Sequence, residues 1–202
     1  DGLPVVLLHG FPLSSVLWEG EVAALSVRYR VVAFDFRGHG RSPAGDGQYT
    51  IELYVDDLLG VMDALGIGRA ILVGLSMGGY VALRAVERNP DRVRGLVLAD
   101  TRSGADTDEA RLRRAAAVRF VGEHGAAAFA RAFLPTVLAP GTLGRPGGPA
   151  ERVRAMVEGN PPAGIRGALI ALAARTDTTV SLPRIQVPAL VMVGEHDALT
   201  PP

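Results

Sequence analysis

The sequence predicts an α/β fold: a doubly wound, mostly parallel sheet with helices on both faces and a helical insertion before the last visible strand. Three observations carry that expectation. Short, continuous apolar runs recur along the 202 residues and alternate with stretches of helical periodicity, the pattern of strands covered on both faces. A G-x-S-x-G pentad, Gly74-Leu75-Ser76-Met77-Gly78, stands where one such run gives way to a helical stretch. Residues 102–182 depart from the alternation and read as helices throughout.

The strand-like runs lie at residues 5–8, 31–34, 70–73, 95–98 and 189–193. Ile51, Val55, Leu58, Met62 and Leu65 recur at helical spacing, with Thr50 placed to cap the start and Gly66 to end it. Residues 77–88 form a second helix, stopped by Asn89-Pro90. The stretch 102–182 is rich in Ala and Arg, carries Phe120, Phe129, Phe133, Leu134, Val137 and Leu138, and is interrupted by the Pro/Gly segment 140–149. The expected organisation is therefore a core of residues 1–101 and 183–202 with a helical cap or lid of residues 102–182. In doubly wound sheets, sites gather at the carboxyl ends of the strands, so a lid on that side would supply pocket walls, with Phe129 and Phe133 as candidates. The competing role for each aromatic is to pack the lid onto the core, which is the commoner use of an apolar helical stripe.

Composition excludes several classes. With 48% hydrophobic and 21% charged residues the chain is ordinary globular material. Its 21 basic and 21 acidic residues cancel, and no basic cluster is flanked by stacking aromatics, so nucleic acid is not an expected partner. No apolar run approaches the ~20 residues of a membrane span, which points to a soluble, cytoplasmic protein without a membrane partner. The absence of cysteine rules out disulfides, thiolate metal sites and a cysteine nucleophile, and no metal or cofactor is expected. All basic residues are arginine, which fits a GC-rich bacterial genome. The chain opens on Asp1 with a strand almost at once and stops at Pro202 soon after another, so edge strands are expected to be missing at both ends. The oligomeric state is not legible.

The chemistry concentrates in four segments. Where a strand turns abruptly into a helix, the residue at the bend is strained and its neighbours two positions away must be small. Gly74 and Gly78 meet that need, and Ser76 becomes a candidate nucleophile beside the unpaired N–H groups that open the helix. His9-Gly10-Phe11-Pro12 follows the first visible strand, and the N–H of Phe11 is expected to join that of Met77 as an oxyanion hole. Asp35 to Ser42 forms a glycine-marked turn in which His39 is expected to bond the loop. Val193-Gly194-Glu195-His196-Asp197 follows the last strand and offers Asp197 as the acid of a catalytic triad.

Taken in that order, these segments resemble an α/β-hydrolase, and within that superfamily the small bacterial esterases, cofactor-free haloperoxidases (perhydrolases) and 3-oxoadipate enol-lactonases. The resemblance implies a serine hydrolase acting on a small ester or lactone through an acyl-enzyme on Ser76, with Asp197 as acid, Asp100 as the alternative acid, Phe11 and Met77 as oxyanion donors and Trp18 as a pocket wall. Perhydrolase chemistry on the same residues, or a non-catalytic ligand-binding protein of the same fold, are the alternatives. Haloalkane dehalogenases and epoxide hydrolases are disfavoured, because those relatives carry an aspartate where Ser76 stands. One part departs from the pattern: the family's triad histidine lies a few tens of residues beyond the acid, and the sequence runs only five residues past Asp197. His9, His39, His124 and His196 each have another expected place, so the triad histidine is expected to lie outside this chain, in a longer polypeptide or in a second chain; the competing expectation is a naturally shortened, catalytically impaired protein.

Overall fold

The computed structural model describes residues 2–195 and 197–201. Five parallel strands form its sheet: β1 (Leu3–Leu8), β2 (Tyr29–Phe34), β3 (Ala70–Leu75), β4 (Val93–Ala99) and β5 (Ala189–Met192). Their spatial order is β2-β1-β3-β4-β5, with Leu8 paired to both Phe34 and Gly74. The chain thus leaves β1 in one direction and later returns on its other side. The order reverses between β1 and β3, the switch point beside which open α/β sheets place their sites. The loop after β1 carries Phe11, and the bend after β3 is Ser76.

Alternation along β1 explains how both faces are covered. Val6 and Leu8 pack with Leu72 and the helices α2 (Ile51–Ala64) and α3 (Met77–Arg88), whereas Val5 and Leu7 point to the opposite face and pack with Trp18. Helix α1 (Glu19–Leu25), which the sequence reading did not foresee, lies beyond Trp18 and buries none of its own residues. On α2 Ile51, Val55, Leu58 and Met62 are buried as expected, each contributing roughly 1.5–3 kcal/mol by leaving water; Tyr54 joins them, and Leu65, expected in the stripe, is 41% exposed because the helix ends there. The Thr50 hydroxyl accepts the Leu53 N–H at 3.0 Å and caps the helix as expected.

Between β4 and β5 the chain forms four helices: α4 (Asp108–Val137), α5 (Pro140–Leu143), α6 (Pro149–Glu158) and α7 (Pro162–Ala173). Gly125, at φ 76° and ψ 179°, breaks α4 into two helical arms. Phe129, Leu134, Val157, Ile165 and Leu169 build a second apolar cluster, against which the core residues Phe11, Leu17 and Leu75 also pack. The base of this insertion is fixed by Asp106, whose fully buried carboxylate receives guanidinium groups from Arg102, Arg114 and Arg175. Burial opposes its ionisation, but the hydrogen bonds and charges of Arg114 and Arg175 prevail and hold its pKa below the usual carboxylate value. Arg175 also lies 4.3 Å above the ring of Tyr80 on α3, joining the end of the insertion to the core.

The Thr50 cap gives the first expected outcome. Thr50→Ala removes the acceptor for the Leu53 N–H and should lower stability by about 1 kcal/mol, read as a shift in urea midpoint with unchanged slope; an unaltered midpoint would show that the cap contributes nothing.

Candidate active site

Ser76 joins β3 to α3 with φ 49° and ψ −111°, a conformation that costs a non-glycine residue of order 1–3 kcal/mol and persists only where its surroundings over-determine it. Here they do. The Ser76 N–H donates to Ala99 O at 2.9 Å, tying the bend to the end of β4. The Ser76 carbonyl accepts the N–H groups of Gly79 and Tyr80 at 2.9 and 3.2 Å, and the Thr101 hydroxyl at 2.8 Å. Thr101 was not singled out in the sequence, because nothing local marks a threonine that reaches back 25 residues.

The glycines around Ser76 are required by contact. A Cβ on Gly74 would overlap the backbone of Gly78 and Gly79, and one on Gly78 would strike the carbonyl of Leu8 at the end of β1. The first turn of α3 therefore presses directly on β1. Gly10 sits close by: a Cβ there would stand 3.4 Å from the Leu75 carbonyl oxygen. Two loops thus converge beside Ser76, one bearing the N–H of Phe11 and the other that of Met77. Neither N–H has a protein acceptor among the described residues, the state in which backbone donors can receive an anionic oxygen. Met77 is fully buried and its side chain belongs to the main core.

The loop after β1 is held by His9, which is fully buried. Its Nε2 accepts the Phe36 N–H at 3.0 Å, and Nδ1 lies 2.9 Å from the Gly10 carbonyl, to which it donates in the neutral tautomer. Burial, aided by the neighbouring His39, lowers the His9 pKa from 6.5 to about 3. His39 is equally buried, with Nδ1 3.1 Å from the Arg37 carbonyl, and burial lowers its pKa to about 4. Asp35 accepts the N–H groups of Ser15 at 2.6 Å and Arg41 at 2.9 Å, organising the loop after β2. His9 and Asp35 are engaged by the backbone of their loops, and His39 holds its loop through Nδ1 while its buried Nε2 has no partner among the described residues.

Asp100 and Asp197 follow β4 and β5. Asp100, at φ 43°, accepts the Gly194 N–H at 2.9 Å through Oδ1. Asp197 accepts the N–H groups of Leu199 and Thr200 at 2.7 and 3.0 Å, together with the Thr200 hydroxyl. Burial raises its pKa, but these hydrogen bonds outweigh it and keep the carboxyl below its ordinary value. Phe11, Ser76, Asp100 and Asp197 therefore follow the carboxyl ends of four consecutive strands of the sheet, β1, β3, β4 and β5.

Two of the three expected pocket residues stand together. Phe129 and Phe133 stack at 5.7 Å between ring centroids, and Phe11 meets them edge-on at 6.0 and 6.1 Å. Trp18 is placed elsewhere: it is 8% exposed and packed against Val5 and Leu7 in the layer on the opposite face of the sheet from α2 and α3. The apolar run of β1 needs cover on that face, and the indole supplies it. His124 lies half-exposed on α4 against Phe120, and His196 falls outside the described residues. Among the described residues no histidine hydrogen-bonds Ser76 or Asp197.

Comparison with known proteins identifies the fold family. Residues 4–140 match the alpha/beta hydrolase fold family. The chain is 42% identical over 100 residues to a non-heme chloroperoxidase of Streptomyces lividans, covering 48% of this chain and 36% of that protein. It is 45% identical over 100 residues to epoxide hydrolase B of Mycobacterium tuberculosis, covering 48% of this chain and 28% of that protein. The chain thus matches about a third of the length of these curated relatives. Among solved structures, a thermophilic esterase from Thermogutta terrifontis superposes with a TM-score of 0.95 at 39% identity, covering 100% of this chain and 75% of the esterase. No helix among the described residues is long and apolar enough to cross a membrane.

Acid stability tests the loop assignment. His9 and His39 stay neutral in the fold down to about pH 3 and 4, whereas in the unfolded chain they take up protons below 6.5. Stability should therefore fall as pH drops from 6.5 towards 4, by up to about 1.4 kcal/mol per pH unit for each ring. The depressed carboxylates Asp35, Asp106 and Asp197 lose their contribution only at lower pH. Urea midpoints at pH 7 and pH 5 should differ clearly, and His39→Asn should flatten the difference.

Proposed function

The chain belongs to the alpha/beta hydrolase fold family, and from that premise we propose that the protein is a serine hydrolase that cleaves a small ester or lactone through an acyl-enzyme on Ser76. The observation that carries the reading is the strained conformation of Ser76 beside two backbone N–H groups, those of Phe11 and Met77, that lack acceptors among the described residues. In this mechanism Ser76 Oγ attacks the carbonyl carbon and gives its proton to a histidine other than His9, His39 and His124. The carbonyl oxygen takes the negative charge between Phe11 N–H and Met77 N–H, which are fixed before reaction and so need no reorganisation. Asp197 orients the histidine; Asp100, one strand closer to Ser76, is the alternative. The alcohol leaves with the proton, and water then releases the acyl group by the same route.

The helices between β4 and β5 act in this reading as the lid, residues 102–182 over a core of 1–101 and 183–202. Phe11, Phe129 and Phe133 give the acyl or aryl part of the substrate an apolar wall. The expected partner is thus a small uncharged ester, with no cofactor. The likeness to the chloroperoxidase supports a second reading, in which peroxide replaces water as the group attacking the acyl-enzyme on the same residues. The likeness to epoxide hydrolase B does not carry epoxide opening with it. Attack by a serine hydroxyl on an epoxide would leave an ether, which water does not cleave, whereas a carboxylate would leave a hydrolysable ester.

Hydrolysis of short p-nitrophenyl esters by the full-length protein tests the proposal. Turnover should be saturable and should fall by about 10⁴-fold or more in Ser76→Ala, to what binding and the oxyanion donors alone supply. Binding of these esters without turnover would favour a ligand-binding protein of the same fold instead.

A further inference from the structure

Asn160 lies in the turn between α6 and α7 and is 2% exposed. Its amide is shared between two loops of the core. Nδ2 donates to the Pro12 carbonyl at 2.7 Å and approaches the Leu13 carbonyl at 3.4 Å, while Oδ1 accepts the Gly40 N–H at 2.7 Å. No other side chain among the described residues bonds the carbonyls of Pro12 or Leu13. Among the described residues, the side-chain hydrogen bonds that hold the chain immediately after Phe11 thus come from one residue of the insertion, while Leu13 packs into the insertion's apolar cluster. On the other side of Phe11, Gly10 is fixed by His9 and by its carbonyl's bond from the Leu13 N–H at 2.9 Å. The Phe11 N–H is suspended between these two anchors.

The part of the insertion that carries Asn160 has no room to slide. Gly164 of α7 lies against Gly38 so closely that a Cβ on it would overlap the Gly38 carbonyl, and a Cβ on Gly167 would overlap the ring of Tyr49. Helix α7 is thus seated on the loop after β2, and Asn160 extends that seat to the loop after β1. An amide buried with donor and acceptor both satisfied fixes geometry in two directions, and its removal leaves the buried Pro12 carbonyl unpaired and frees the Gly40 N–H.

We propose that Asn160 is a positioning residue for the oxyanion hole, setting the place of the Phe11 N–H from within the helical insertion. The inference rests on Phe11 N–H being an oxyanion donor. Because the donor meets charge only as the tetrahedral state forms, its displacement weakens that state and leaves substrate binding nearly untouched. A displacement of about 1 Å is enough to cost up to about 10²-fold in rate.

Asn160→Ala and Asn160→Asp in the full-length protein test this, with Met62→Ala in the core as a comparison for stability loss alone. The aspartate keeps the acceptor for Gly40 N–H but sets a carboxylate oxygen against the Pro12 carbonyl in place of the donor, so it breaks that bond selectively and serves alone if the alanine variant does not fold. Amide hydrogen exchange of the peptide spanning residues 9–14 should quicken in both Asn160 variants and not in Met62→Ala. With a p-nitrophenyl ester, kcat should fall about 10- to 100-fold with KM changed less than about twofold. Inhibition by a trifluoromethyl ketone, which forms an oxyanion on Ser76, should weaken in step with kcat/KM. Unchanged exchange, or a loss confined to KM, would overturn the proposal. Should the unaltered protein hydrolyse nothing, the serine hydrolase reading fails, and the exchange measurement still decides whether Asn160 holds the loop.

Discussion

The close contact between Gly78 and Leu8 is the constraint from which the site follows. A side chain at position 78 would strike the Leu8 carbonyl, so the first turn of α3 can rest on the end of β1 only because that residue has none. This contact sets the distance between the loop after β1, which carries Phe11, and the bend after β3, which carries Ser76 and Met77. The strain at Ser76 is maintained by four backbone and side-chain hydrogen bonds to its own N–H and carbonyl. Fold and site are one problem here: the sheet order reverses between β1 and β3, and the glycines let the segments leaving those two strands approach each other.

A second layer of constraint comes from buried polar groups. His9 and Asp35 each satisfy backbone N–H groups of the loops that leave β1 and β2, and Asp106 gathers three arginines at the base of the insertion. None of these groups sits where solvent could replace a lost partner cheaply, so each fixes one arrangement of loop or helix at the cost of desolvation. The result is a set of fixed loops around Ser76, one of which carries Phe11 against Phe129 and Phe133 of the insertion.

What could be read from the sequence was what is local. The strands and helix α2 follow from periodicity and from a cap three residues from its partner, and helix α3 stops at Asn89-Pro90 as the proline requires. The elbow could be read because Gly74, Ser76 and Gly78 stand within five positions. Helix α1 escaped notice because it buries no side chain and so has no apolar stripe. Asn160 escaped because its partners lie 120 to 148 residues away, and nothing in the Gly-Asn-Pro-Pro stretch around it indicates which loops it meets. Trp18 follows the resemblance-based motif but packs beneath the sheet, where Val5 and Leu7 need cover. That choice depends on which face of β1 a neighbouring segment crosses.

The central claim is that Ser76 is the nucleophile, and a covalent probe tests it most directly. Treating the full-length protein with a fluorophosphonate and mapping the adduct by peptide mass spectrometry should place one phosphonyl group on the peptide that contains Ser76, with the label abolished in Ser76→Ala. A label on another residue with Ser76 unmodified, or hydrolytic activity that survives Ser76→Ala unchanged, would contradict the account.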